Sequence, residues 1–338
     1  MRYLHFATQR ADKLGVLPVS KHKGELWQRG DNSEMRIGLY DVDSRVPNLA
    51  LMKLSQWHKM QGDQTELYMP LLHESYDKVY ASKVFDFSDG SYLREDMIVG
   101  GTGVSLEDKL PDEIESLQPD YSLYEYPHSI GFLMRGCRFK CGFCVVPRKE
   151  GRPYSNNTIE NIWTQRDSDF VMLLDNDFFG NPEWEDRIEE IRFYNLKVNF
   201  SQGLNIRIIS DRQAHALASV RFTNTHASRS QVTFAWDQIK DERTIFRGYH
   251  RVLSAGIKPW QMQFYVLIGY DSTREEDLHR VMTLKSLGCD PYAMPYDKSD
   301  DYQRHFVRWV NRRQIFNTCT WEEYKKTVNF EQEEGVWV

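Results

Sequence analysis

The feature that most constrains the fold is an alternation of apolar strand-like segments with helical segments across the second half of the chain. The strand-like segments lie at 129–134, 170–174, 198–201, 231–236, 263–268 and 291–294. Helical patterns lie at 183–194, 211–218, 241–255 and 275–287. This alternation predicts six β/α units of the α/β class, in which polar groups and ligands gather at the carboxyl ends of parallel strands.

A shorter alternation precedes it and predicts a separate front domain. Strand-like segments occur at 35–40, 64–67, 78–81 and 97–100, and a helical pattern occupies 48–62. We therefore divide the chain into four parts. They are an N-terminal extension at 1–34, a small parallel α/β domain at 35–125, the main β/α domain at 126–296 and a helical C-terminal extension at 297–338.

Composition and charge exclude several classes of protein. The chain is 41% hydrophobic and 27% charged, which excludes disordered and fibrous proteins. A formal net charge of −6 argues against a protein that depends on a basic surface to hold nucleic acid. No apolar run approaches the ~20 residues of a membrane span, and no apolar segment of a secretory signal follows the first residues. We expect no membrane partner.

Three of the five cysteines, Cys137, Cys141 and Cys144, lie close together with the spacing C-x3-C-x2-C. Three nearby thiolates can hold one metal ion or cluster. Structural zinc normally takes four protein ligands, and neither a fourth cysteine nor a histidine follows closely. An iron–sulfur cube held by three cysteines leaves one iron open to a small molecule. An iron–sulfur cluster, a zinc site and ordinary cysteines are the alternatives at this point.

The cysteine spacing, with Phe143 just before the last cysteine and β/α units following, resembles the radical S-adenosylmethionine (radical SAM) superfamily over about residues 128–296. The resemblance implies a partial (β/α)6 barrel and a [4Fe–4S] cluster on Cys137, Cys141 and Cys144, with Phe143 beside the cofactor. S-adenosylmethionine would bind the fourth iron. Its reductive cleavage would release methionine and a 5′-deoxyadenosyl radical, which takes hydrogen from an unidentified substrate.

The same resemblance implies an electron donor such as flavodoxin or ferredoxin. It also implies a cytoplasmic location, because exposed clusters of this kind are oxygen-sensitive. The substrate is a small molecule or a macromolecule that the sequence does not identify.

Polar residues after the predicted strands are implied to bind S-adenosylmethionine. Asp175 and Asp177 follow the second strand, where the family places a contact to the methionine ammonium, although the common Gly-Gly-Glu is replaced here. Gln202 and Asn205 are implied to hydrogen-bond the nucleoside, and Arg207 to meet the methionine carboxylate. The alternative reading is a capped turn and a polar loop.

Gly269 follows the strand-like segment 263–268 and resembles the family position where backbone approaches adenine. The alternative is a buried strand with a turn. Farther on, Arg304, Arg308 and Arg312 recur at helical spacing. They keep nucleic acid among the candidate partners, although such a stripe is more often a solvated helix face.

The front domain resembles the Rossmann-like, cobalamin-binding-type domain of several radical SAM subfamilies. The stretch 100–103, Gly-Gly-Thr-Gly, lies where such domains place a Gly-rich turn. The usual D-x-H-x-x-G motif is absent, and His58, inside a predicted helix, is interpreted as an ordinary surface or packed histidine. Cobalamin is therefore not favoured. No cysteine precedes Cys137, which disfavours a methylthiotransferase with a second cluster.

Three hypotheses follow from these residues. The first is a radical SAM enzyme, and the second is a cobalamin-dependent radical SAM methyltransferase. The third is a non-catalytic zinc or iron–sulfur protein that binds nucleic acid through the basic C-terminal stripe.

Overall fold

The computed structural model describes residues 34–328 and residue 330. The predicted N-terminal extension lies outside the described residues except for Glu34, and so does the end of the C-terminal extension, 331–338. The described chain divides into two units, residues 34–171 and residues 172–330. The boundary between the units falls inside a strand, whereas the sequence pattern divides the chain at 125/126, so the two divisions differ.

The first unit contains seven strands and four helices in its described part. The strands are β1 (Arg36–Asp41), β2 (Gln64–Leu67), β3 (Lys78–Ser82), β4 (Ile98–Gly100), β5 (Ser129–Gly131), β6 (Met134–Arg135) and β7 (Tyr154–Ser155). The helices are α1 (Leu49–Met60), α2 (Asp112–Glu115), α3 (Val146–Lys149) and α4 (Ile159–Ile162). Strands β2, β1, β3 and β4 form one parallel sheet in that order, which confirms the predicted parallel α/β arrangement.

Both faces of β3 are buried, because its apolar run 79–81 alternates between two core clusters. Ile37 and Leu39 of β1 belong to one core cluster together with Leu51 and Leu54 of α1. A second cluster contains Val79 of β3 among its buried residues.

Helix α1 begins and ends at residues that suit helix termini. The Oδ1 atom of Asn48 accepts hydrogen bonds from the backbone N–H groups of Ala50 and Leu51. After the helix, Gly62 has φ of 87°, a conformation that glycine adopts at low energy.

His58 of α1 is a packed core histidine. Its Nδ1 atom lies 2.7 Å from Asp63 Oδ2, and its Nε2 atom lies 3.1 Å from the hydroxyl oxygen of Tyr80. All its ring polar atoms therefore have protein partners, as a buried polar side chain requires.

The Gly-rich turn after β4 packs against the chain's own backbone. A Cβ atom on Gly101, at φ of 104°, would overlap the carbonyl oxygen of Lys83, and one on Gly103 would overlap the backbone of Phe85. The backbone N–H of Gly103 also donates to Lys83 O at 3.0 Å. The segment after β3 lies so close to this turn that only glycine fits at positions 101 and 103.

Replacing Gly101 with alanine tests this close approach. We expect Gly101→Ala to lower the free energy of unfolding of the first unit by ~3 kcal/mol, because a left-handed alanine meets backbone that has no room for it. Gly62→Ala is the matched control, since Gly62 is also left-handed but a methyl group there would meet no atom within 4 Å; it should lower that free energy by only ~1 kcal/mol. Urea unfolding measures both, and equal losses would contradict the account.

The second unit contains six strands and seven helices in its described part. The strands are β8 (Phe170–Leu173), β9 (Lys197–Phe200), β10 (Arg221–Phe222), β11 (Val232–Ala235), β12 (Met262–Ile268) and β13 (Asp290–Pro295). The helices are α5 (Trp184–Phe193), α6 (Asp211–Ala218), α7 (Glu242–Ser254), α8 (Arg274–Ser286), α9 (Asp301–Asn311), α10 (Arg313–Thr318) and α11 (Trp321–Thr327).

The strands of this unit form two hydrogen-bonded groups. One has the order β10–β9–β8, and the other has β11, β12 and β13 paired in parallel. A parallel bridge between Leu204 and Phe234 links the segment after β9 to β11. The prediction of an α/β fold with parallel sheets is confirmed, and the finer prediction of a (β/α)6 barrel stays a prediction.

Two details differ from the pattern in the sequence. The predicted strand at 129–134 is interrupted, because the carbonyl groups of Phe132 and Leu133 accept hydrogen bonds from Asn156 and Asn157 and the chain then pairs antiparallel with β7. Strand β10 is not predicted, because two residues carry no periodicity.

Helix α9 exposes Arg304 and Arg308, Arg312 follows it, also exposed, and Phe306 and Trp309 are buried on the other face. The Arg304 guanidinium pairs with Asp301 one turn earlier. The stripe therefore has the geometry of a solvated helix face. Across residues 34–328 and 330, every helix is too short or too polar to cross a membrane.

Candidate functional site

The cysteine loop, residues 136–151, is closed at its base. Strands β6 and β7 pair antiparallel just outside it, and the backbone N–H of Cys137 donates to Gly151 O at 3.2 Å. Gly136 has φ of 81°, and a Cβ atom on it would overlap the carbonyl oxygen of Arg152. Glycine at 136 thus permits the two ends of the loop to meet.

Glu150 ties the same two ends together with its carboxylate. Its Oε2 atom accepts a hydrogen bond from the Gly136 N–H at 2.9 Å, and its Oε1 atom lies 3.0 Å from Arg135 Nη1. The Arg135 guanidinium also stacks 3.6 Å from the centre of the Phe132 ring and pairs with Glu115. Arg135 and Glu150 are not among the predicted site residues, because only loop closure brings them together.

The three predicted cysteine ligands lie on this one loop, and each is partly exposed. The backbone N–H of Cys144 donates to Cys141 O at 3.0 Å, so these two residues share one turn. The backbone N–H of Phe139 points at the Sγ atom of Cys137 at 3.5 Å. Phe143 is buried, so its ring anchors the loop in the protein. All five cysteines are described, and none forms a disulfide.

The three thiol side chains are not grouped around a common centre. Among residues 34–328 and 330, no three His, Cys, Asp or Glu side chains lie close enough together to hold a metal ion. The structure therefore gathers the three cysteines on one closed loop without forming a ligand set around a common point.

Basic residues accompany the cysteines. Arg138 and Lys140 lie between the first two cysteines, and Arg148 and Lys149 follow the third. Burial lowers the pKa of Lys149, whose ammonium donates to Ser105 O at 3.2 Å. The thiolate is the form of cysteine that binds metals, and these cations would offset the negative charge of three bound thiolates.

In the second unit, the predicted residues after β8 and β9 are buried. Asp175 and Asp177 are 5% and 2% exposed. Ser201 joins the two strand ends, because its hydroxyl donates to Leu173 O at 2.7 Å, and Gln202 Nε2 lies 3.3 Å from the same hydroxyl oxygen. Buried carboxylates at a strand end are suited to bind a cationic group.

Asn205 and Arg207 contact each other. Asn205 Oδ1 accepts hydrogen bonds from the backbone N–H of Arg207 at 3.1 Å and from its Nε atom at 3.3 Å. Arg207 Nη1 pairs with Asp241 Oδ2 at 2.7 Å. The guanidinium is thus held in one orientation by a side-chain amide and a carboxylate.

Gly269 lies after β12 with φ of 73°, and the adenine contact predicted there stays a prediction. The amide of Gln303 from α9 occupies the place that a Cβ atom would take. The backbone N–H of Gly269 donates to Asp277 Oδ2 at 3.2 Å. Burial raises the pKa of the Asp277 carboxyl, although Arg280 counteracts it. Neither Gln303 nor Asp277 is predicted from the sequence.

No family model, curated protein or solved structure matches the chain. The function must therefore be inferred from the residues themselves. These are three cysteines on one closed loop of the first unit, and buried polar residues at the carboxyl ends of strands in the second unit.

Removal of the Glu150 carboxylate should loosen the base of the loop. We expect backbone amide exchange at Gly136 and Cys137 to become about tenfold faster in Glu150→Ala, because one hydrogen bond and one ion pair, worth ~1–2 kcal/mol together, are lost. Hydrogen–deuterium exchange with mass spectrometry measures it. Arg148→Ala, an exposed position in the same loop, is the control, and unchanged exchange in Glu150→Ala would contradict the assignment.

The cysteines should differ in reactivity. Burial raises the pKa of Cys289 to about 12, so almost none of it is thiolate at neutral or mildly alkaline pH. We expect iodoacetamide to alkylate the loop cysteines and Cys319 in the native protein, and Cys289 only after denaturation. Peptide mass spectrometry reads out each site; labelling of native Cys289 as fast as that of Cys319 would show the burial to be wrong.

Proposed function

We propose that the chain is a radical SAM enzyme whose cysteine loop binds a [4Fe–4S] cluster through Cys137, Cys141 and Cys144. The observation that carries the proposal is the placement of all three C-x3-C-x2-C thiols on one loop whose ends are tied by Gly136, Glu150 and backbone hydrogen bonds. A closed loop limits the positions that its thiols can take, which lowers the entropy lost on binding a cluster.

The donor chemistry supports a cluster. Three thiols suit iron–sulfur binding, and the Phe139 N–H directed at Cys137 Sγ is the kind of hydrogen bond that tunes a cluster. The cations of the loop offset the charge of three thiolates. The three sulfurs are not grouped closely enough to bind one metal centre. Cluster binding therefore requires the cysteine side chains to rotate toward a common centre, with small adjustments of the loop.

When bound, such a cluster would supply the electron for the reductive cleavage of S-adenosylmethionine. The sequence resemblance assigns contacts to that cofactor to residues of the second unit. Asp175 and Asp177 supply negative charge for the methionine ammonium, and Arg207 supplies a guanidinium for its carboxylate. Gln202 would hydrogen-bond the nucleoside, and the parallel strands would belong to the partial barrel that the sequence resemblance implies.

Anaerobic reconstitution tests the proposal. We expect the full chain to take up about four irons with iron and sulfide, and to release 5′-deoxyadenosine when S-adenosylmethionine and dithionite are added. Alanine at Cys137, Cys141 or Cys144 should abolish most of the iron uptake and lower product formation by about a hundredfold or more, because each thiolate is one of three cluster ligands.

Cys319→Ala is the matched control, because Cys319 is a partly exposed cysteine outside the loop and should leave both readouts unchanged. Binding of zinc without iron would favour a non-catalytic metal protein instead. Product formation that survives the loop substitutions would also overturn the proposal.

A further inference from the structure

A polar cavity of about 230 Å³ in the second unit is lined by side chains of β9, β11, β12 and β13 and of the loop between β10 and β11. Its wall includes Gln231, which precedes β11, and Gln263 near the start of β12. Asp175, Asp177 and Gln202, which are proposed cofactor contacts, instead follow their strands and do not line the cavity. Tyr265 of the cavity wall donates its hydroxyl to Ser201 O at 3.3 Å, beside Gln202.

The sheet register explains why this wall is polar. Thr233 pairs with Gln263, and Tyr265 pairs with Tyr292, so these side chains line one sheet face and all four border the cavity. Phe234 points to the other face of β11 and is fully buried. The apolar side chains of β11 pack in the core, whereas the polar side chains on its other face need hydrogen-bond partners.

Asn199 of β9 is one of the side chains that line the cavity. The side chain is 3% exposed, and its Nδ2 atom donates to Thr223 O at 2.8 Å. Its Oδ1 atom is buried and has no hydrogen-bond partner among the described residues. Asn199 therefore adds a carboxamide, held by its bond to Thr223, to the polar wall of the cavity.

Arg229, which lines the cavity, shares its carboxylate partner Asp290 with a second arginine. One carboxylate oxygen, Asp290 Oδ2, accepts hydrogen bonds from Gln231 at 3.0 Å and Gln263 at 3.3 Å. The same oxygen pairs with Arg229 at 3.0 Å and with Arg313. Two guanidinium groups against one carboxylate leave one net positive charge, which favours an anionic group on the ligand.

We propose that this cavity binds a small polyhydroxylated anion, of the sugar-acid or sugar-phosphate type. Carboxamides both donate and accept hydrogen bonds, as hydroxyl groups do, and four of them line the cavity. The rings of Tyr265 and Tyr292 supply apolar surface for the carbon skeleton. The Arg229 guanidinium at the rim meets the negative group. This proposal does not rest on the proposed cluster chemistry.

Isothermal titration calorimetry on the full chain, without reconstitution, tests the site. The probes are D-gluconate and D-glucose 6-phosphate, with D-glucitol lacking the charge and hexanoate lacking the hydroxyls. We expect at least one of the two anions to bind with a Kd of about 1 mM or tighter, and D-glucitol and hexanoate to bind at least about tenfold more weakly. Which anion binds distinguishes a carboxylate ligand from a phosphate ligand.

Two substitutions locate the binding. Arg229→Gln and Asn199→Leu should each weaken the bound anion about tenfold or more, and Arg212→Gln, an exposed arginine of the same unit paired with Glu185, should leave the Kd unchanged. If Asn199→Leu does not fold, as judged by circular dichroism, Arg229→Gln at the partly exposed rim carries the test. Absence of binding by both anions, equal binding of D-glucitol, or an unchanged Kd in Arg229→Gln would overturn the proposal and leave a cavity that holds solvent only.

Discussion

The closed base of the cysteine loop is the constraint on which the functional account depends. Three thiols in a long open loop would sample many separations, and a ligand that needs all three would have to order them. Here Gly136 lets the two ends approach, Cys137 donates to Gly151, and Glu150 binds the Gly136 N–H. The ends are therefore fixed before any ligand arrives, and the side-chain positions are what remains to be ordered.

The second unit uses both ends of its strands for polar groups. Buried carboxylates and an amide follow β8 and β9, while a cavity with carboxamide walls lies where β11 and β12 begin. In parallel α/β folds, catalytic groups gather after the strands, and residues before the strands usually serve stability. A cavity walled by the carboxamides of Gln231 and Gln263, near the starts of β11 and β12, departs from that division, which is why it supports a second binding site.

Much of the fold follows from local sequence patterns. Helix α1 and strand β12 lie close to where periodicity and terminal residues such as Asn48 predict them, because their signals are local. Strands β6 and β7 are not predicted as a pair, since two-residue strands have no period and meet only after the loop closes.

The candidate site residues divide in the same way, into those that local sequence identifies and those whose partners lie far along the chain. Spacing alone selects Cys137, Cys141 and Cys144, and strand order places Asp175 and Gln202 at strand ends. The partners of other predicted residues come from far along the chain, as with Gln303 against Gly269 and Asp241 with Arg207. Sequence separation hides such contacts, and the same holds for the cavity, whose walls come from several strands and one loop.

The most direct measurement of the central claim is Mössbauer spectroscopy of the full chain reconstituted with iron-57, recorded with and without S-adenosylmethionine. The account predicts a four-iron cluster in which one iron site changes its isomer shift when S-adenosylmethionine is added. That iron alone has no cysteine ligand. A spectrum without a cluster, or one in which no iron site responds to S-adenosylmethionine, would contradict it.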